Sequence, residues 1–120
     1  MKQSGIFSNF HAFGKITYQL VTSKVFLLLT LIGNSLIGLS GTLFFFLERA
    51  HNPKLTHFID AIWWSFATAT TTGYGDITPV TTAGKILGIV LMLAGTAIFA
   101  MYTGLFADAI LSTQRFRGHE

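Results

Sequence analysis

One hundred and twenty residues fall short of the ~150 of a usual domain, so a multidomain enzyme is excluded and the chain reads as one module or as a subunit. Apolar residues make up 51% and charged residues 11%, against roughly a quarter charged in an ordinary soluble protein, too little charge to keep this much apolar surface in water. The absence of Cys removes disulfide frameworks and thiolate metal sites, and eight Lys and Arg against five acids, nowhere gathered into a run, set nucleic acid aside as a partner.

In residues 1–24, Ile6, Phe10, Phe13 and Leu20 recur at near-helical spacing with Lys15 and polar residues between them, the pattern of a helix lying along a membrane surface. Gly5 and Gly14 weaken that pattern, and a disordered leader is the alternative. Between Lys24 and Glu48 lie 23 uncharged residues, Val25 to Leu47. At 1.5 Å per residue they give roughly 35 Å of helix, enough to cross a bilayer with modest tilt. The run starts late and is too long for a signal-peptide core, so 25–47 is expected to stay as a spanning outer helix. Within it Asn34, Gly38 and Gly41 share one helical face and read as packing residues.

Residues 49–57 form a polar loop, because Pro53 cannot continue a helix and pushes Asn52 towards extended geometry. A short helix is expected over 58–70, with Thr56 as its cap and Asp60 at the positive end of its dipole. It is roughly 20 Å long, well short of the ~30 Å hydrocarbon core, so it enters the membrane without crossing.

Next comes Thr70-Thr71-Thr72-Gly73-Tyr74-Gly75-Asp76, poor material for helix or sheet. Gly takes positive φ without steric cost, and backbone alternating in handedness would turn successive carbonyls to one side. At membrane depth such backbone survives only where it lines a water-filled or protein-lined path. Its oxygens are natural partners for hard, weakly hydrated cations.

A second uncharged run of 22 residues, Ile86 to Ala107, makes roughly 33 Å of helix and a second crossing, placed within an inner helix over 84–111 and followed by a tail over 112–120. Gly95, midway, reads as a hinge or as a close-packing position. Thr96, Ala100, Thr103 and Ala107 lie near one face, expected to line a cavity with Phe99 at its edge, while Ile98, Met101, Leu105 and Phe106 carry the bulk. Lys2, Lys15, Lys24, Arg115 and Arg117 flank the spans on one side. Arg49, Lys54 and Lys85 on the other are balanced by Glu48, Asp60 and Asp76, so both termini are expected in the cytoplasm. With no HExxH and no paired carboxylates, an enzyme is not indicated.

Thr71-Thr72-Gly73-Tyr74-Gly75-Asp76, preceded by Trp63-Trp64-Ser65 and followed by a second apolar run, closely resembles the pore module of potassium channels over roughly Phe26 to Leu111. The resemblance implies an all-α membrane protein, homotetrameric, with two transmembrane helices, a re-entrant pore helix and a selectivity filter at 71–75. As in the established potassium filter, four such loops would replace the ion's hydration shell with carbonyl oxygens. By that resemblance the carbonyls of Thr71, Thr72, Gly73 and Tyr74, with the Thr71 hydroxyl, line successive ion sites, and Gly75 closes the strand. Trp63 and Trp64 would form a cuff offering indole N–H groups to Asp76 and the Tyr74 hydroxyl, or would anchor the chain at headgroup depth. Asp76 is then a hydrogen-bond partner behind the filter that also attracts cations, or a solvated carboxylate at its mouth.

Two positions depart from the family. Thr72 stands where Val or Ile is usual, and a hydroxyl there needs a partner. Ala67 stands where some relatives carry a pore-helix Glu, so a carboxyl pair with Asp76 cannot form. The expectation is a passive potassium-selective pore in the inner membrane, multi-pass and surrounded by lipid. Potassium is the permeant ion and no organic cofactor is needed. A regulatory domain or subunit outside this chain is a further partner the reading admits. A weakly selective cation channel and a non-conducting membrane assembly subunit are the alternatives.

Overall fold

The computed structural model describes residues 3–118; Lys2 of the charge tally and the last two residues of the tail lie outside them. Among the described residues four helices follow in order: α1 (Gln3–Val21), α2 (Lys24–Glu48), α3 (Phe58–Ala69) and α4 (Thr82–Arg117). The fold is all-α, with two helices long and apolar enough to cross a membrane, Lys24–Glu48 and Thr82–Ser112.

The boundaries follow from local chemistry. Ser23 separates α1 from α2: its hydroxyl accepts the Phe26 N–H at 3.2 Å and donates to the Leu20 carbonyl at 2.7 Å, capping the start of α2. The disordered alternative for the leader gives way to a helix that carries Gly5 and Gly14 in its interior. At the start of α3, Asp60 Oδ2 accepts the backbone N–H groups of Thr56 and His57 at 3.1 and 2.8 Å and the Thr56 hydroxyl at 2.9 Å. The N-cap is His57 rather than Thr56, and Thr56 joins through Asp60. Helix α3 ends at Ala69, one residue short of the expected 70, because Thr70 (φ −85°, ψ 3°) leaves the helical region and Thr71 turns left-handed. Helix α4 runs six residues beyond the expected end at 111.

Two compact units divide the chain: residues 31–100, and the two end segments together. In the unit of end segments, Phe26 meets Tyr102 and Phe106 edge-on at 5.2 and 6.3 Å, and the Thr30 and Tyr102 hydroxyls pair at 2.7 Å.

The unit of residues 31–100 wedges α3 between α2 and α4. Its core is Phe44, Leu55, Ala61, Trp64, Ala69 and Leu91. Phe44 and Trp64 stack with centroids 3.7 Å apart, and in an apolar surrounding such close van der Waals packing holds helices together in place of the hydrophobic effect. The Ser65 hydroxyl, fully buried, donates to the Ile37 carbonyl at 2.8 Å, so the wedge is tied to α2 by a polar bond as well as by packing. Glycines let the helices close up: a Cβ on Gly41 would press on Ile62, and one on Gly88 would lie 3.4 Å from the Trp64 ring. Of the three positions read as packing residues in the first span, Gly41 meets α3, whereas a Cβ added at Gly38 would meet nothing within 4 Å.

Candidate functional site: an alternating backbone segment and its bracing

Helix α3 delivers the strand-like segment at 71–75, irregular backbone that belongs to no sheet. Its terminal carbonyls, the negative end of its dipole, face a turn in which the Thr71 N–H bonds to the Thr68 carbonyl at 3.2 Å and the Gly73 N–H to the Ala67 carbonyl at 3.0 Å. Ala67 therefore contributes through its main chain. Along the strand φ is +62° at Thr71, +55° at Gly73 and +76° at Gly75, so every second residue is left-handed. Gly adopts this freely. Thr71 does so at a cost of about 1–2 kcal/mol.

This alternation is the geometric condition for carbonyls to line up on one side of a strand. It arises in a segment where neither helix nor sheet absorbs the backbone oxygens, which suits them to a cation.

Behind the strand, the Trp63 indole N–H donates to Asp76 Oδ2 at 2.9 Å, and the Trp63 ring lies parallel to that of Tyr74, centroids 5.4 Å apart. One indole thus holds both ends of the Tyr74-Gly75-Asp76 segment. Trp64 turns the other way, into the core against Phe44 and Gly88. The Thr72 hydroxyl pairs with Thr70 Oγ1 at 2.8 Å.

Gly95 sits where a Cβ would come within 2.5 Å of the Ala69 carbonyl oxygen and 2.7 Å of its Cα. Here α4 touches the backbone at the end of α3, and α4 continues as helix through this point. Thr96, Phe99, Ala100, Thr103 and Ala107 are all exposed on the single chain.

A second cluster went unread in the sequence. Glu48, at the end of α2 and fully buried, accepts the Asn52 amide at 3.1 Å, the Val80 N–H at 2.8 Å, the Thr81 N–H at 2.9 Å and the Thr81 hydroxyl. Asn52 also donates to the Thr78 carbonyl at 2.8 Å, and Thr81 Oγ1 accepts the Gly84 N–H at 3.0 Å. The carboxylate thereby ties the loop after α2 to the segment between strand and α4. The available signal was a Glu four residues before an Asn, with Thr and Gly three apart ahead of an apolar run.

Two apolar helices of spanning length, with a half-length helix and a left-right alternating strand between them, define a pore-loop membrane protein. The chain matches the family described as ion channel over residues 27–112, and it belongs to that family, one of channels rather than enzymes. It is similar to the voltage-gated potassium channel of Aeropyrum pernix, 43% identical over 44% of this chain and 18% of the relative. A cyclic nucleotide-gated potassium channel of Rhizobium etli is 36% identical over 72% of this chain and 23% of the relative. The chain therefore spans less than a quarter of the length of these curated relatives. Among solved structures, a voltage-gated K+ channel pore module in a closed state in lipid membranes matches with TM-score 0.63 and 34% identity, over 72% of this chain and 90% of that one. A second pore domain, also closed in lipid membranes, matches at 0.59 and 38%, over 67% and 88%.

Proposed function

We propose that four copies of this chain form a potassium-selective pore that conducts passively through the carbonyls of Thr71, Thr72, Gly73 and Tyr74, with the Thr71 hydroxyl at the inner end and Gly75 closing the strand. The observation that carries this is the alternation of handedness at Thr71, Gly73 and Gly75, with the Trp63–Asp76 bond behind it. Likeness to pore modules of potassium channels supports the choice of ion. A single strand supplies one side of an ion site, and closed symmetry about an axis supplies the rest.

Five residues reach about 17 Å at most, so a wider cavity must complete the path. The exposed face at Thr96, Phe99, Ala100, Thr103 and Ala107 suits that cavity. Gly95 serves first as a contact with Ala69, and bending there would change the register of α4 on the pore helix. The excess of Lys and Arg beside the termini supports a cytoplasmic position for both, in a bacterial-type inner membrane. Relatives named for voltage and for cyclic nucleotides suggest that regulation comes from a domain or subunit outside these residues.

The experiment is ion flux from the purified tetramer in liposomes, with reversal potentials under opposed potassium and sodium. Equal permeability to the two ions would leave a weakly selective cation channel, and sealed liposomes bearing folded tetramer would leave an assembly subunit.

A further inference from the structure

The Thr70 hydroxyl makes two contacts: 2.7 Å to the Phe66 carbonyl and 2.8 Å to Thr72 Oγ1. A carbonyl only accepts, and a hydroxyl has one proton, so the Thr70 proton is committed to Phe66 and Thr72 must be the donor. The direction is fixed as Thr72 O–H to Thr70 Oγ1–H to the Phe66 carbonyl. This two-bond relay leaps over Thr71, the left-handed non-glycine residue, and joins the last turn of α3 to the strand that follows it. The backbone bonds from Thr71 to Thr68 and from Gly73 to Ala67 cross the same break.

We propose that Thr72 is a positioning residue whose hydroxyl, through Thr70, holds the strand in its alternating conformation when few ions are bound. The reading rests on the proposed pore function. Thr72 is β-branched, so fixing its hydroxyl fixes χ1 and narrows the backbone angles open to it. Its carbonyl, one of the proposed ion ligands, is then held by a protein bond as well as by the cation. A Val there would fill the same volume without the donor. The strand would lean more on bound ions for its shape, and conduction would need more of them.

The test is a double-mutant cycle on the reconstituted tetramer with Thr72→Val, Thr70→Val and both together. Two quantities are read: the potassium concentration giving half-maximal flux, and the unfolding midpoint of the tetramer in potassium-free buffer. Each single variant should raise the half-maximal concentration roughly threefold to tenfold, the worth of one net hydrogen bond, and the double variant should go no further than the worse single. The midpoints should show the same non-additivity. Additive effects, or a Thr72→Val variant indistinguishable from the unmodified chain, would overturn the proposal. If Thr72→Val does not assemble, Thr72→Ser against Thr72→Ala isolates the hydroxyl, and Ser must lie nearer the unmodified chain. An unmodified tetramer without flux would sink the pore reading, while the midpoint cycle would still decide whether the relay exists.

Discussion

Glu48 accepts the Thr81 N–H at 2.9 Å and so completes, from a different helix, the capping arrangement that α4 cannot complete for itself. In a capping box the residue three positions into the helix returns a carboxylate to the cap N–H. That position in α4 is Gly84, which has no side chain, and Glu48 supplies the oxygen across 33 residues of sequence. Glu48→Ala should leave the Val80 and Thr81 donors facing one another without an acceptor and cost about 1–3 kcal/mol. Gly84→Ala should cost a similar amount, because its Cβ would collide with Glu48 Oε1 and the carboxylate is held by donors on every side. Thermal unfolding of the purified protein measures both, and a neutral Gly84→Ala would refute this account of the glycine.

Gly95→Ala should be destabilising by about 1–3 kcal/mol, the range for overpacking. What the added methyl meets is the Ala69 backbone, which cannot rotate away. Gly14→Ala in α1 makes the contrast: nothing lies within 4 Å of that position, so the change should favour the helix by about 0.5–1 kcal/mol. Unfolding midpoints and helicity of the two variants should therefore move in opposite directions.

Trp63→Phe should keep an aromatic face for Tyr74 and delete the N–H that Asp76 receives. The pair is exposed on the single chain, so the loss should be no more than about 1 kcal/mol. On the proposed pore reading it should show as weaker retention of potassium, and Trp63→Ala should be worse because it also deletes the stack. If Phe and Ala behave alike, the stack carries nothing.

Asp60 yields a prediction in pH. Hydrogen bonds from the His57 N–H first, then from Thr56, hold its carboxyl below the ordinary 3.8. A carboxylate depressed in the folded state contributes stability above its unfolded value that is lost as pH falls through the folded one. The stability that the Asp60 carboxylate contributes should thus be fully present from neutrality down to the ordinary carboxylate range and be lost only below it. Asp60→Asn should be weaker at neutral pH and should lose that acid-dependent step. Unfolding midpoints across an acid series measure this.

The two spans could be read in the sequence because charge is absent from them, and α3 because its apolar run is too short to cross. The alternation of handedness could be read too, since Gly73 and Gly75 announce it, although nothing in the residue type marks Thr71 as left-handed. The side-chain partners were not legible. Glu48 reads as one more flanking charge until the fold brings residues 80 and 81 to it. Trp63 and Trp64 look like a pair, yet neighbours on a helix point about 100° apart, so one meets the strand and the other the core. Ser65 gives no hint of Ile37, because the contact depends on how α3 docks rather than on any pattern within α3.

Thr71 holds a backbone shape that its own side chain disfavours, and it holds it only while Thr68, Ala67 and the docked α3 are in place. The seven residues from Thr70 to Asp76 would not carry this geometry if grafted onto a loop elsewhere, nor would a free peptide of that sequence adopt it. The alternating shape is a property of the assembled wedge, and a search for the motif alone would also find chains that cannot make it.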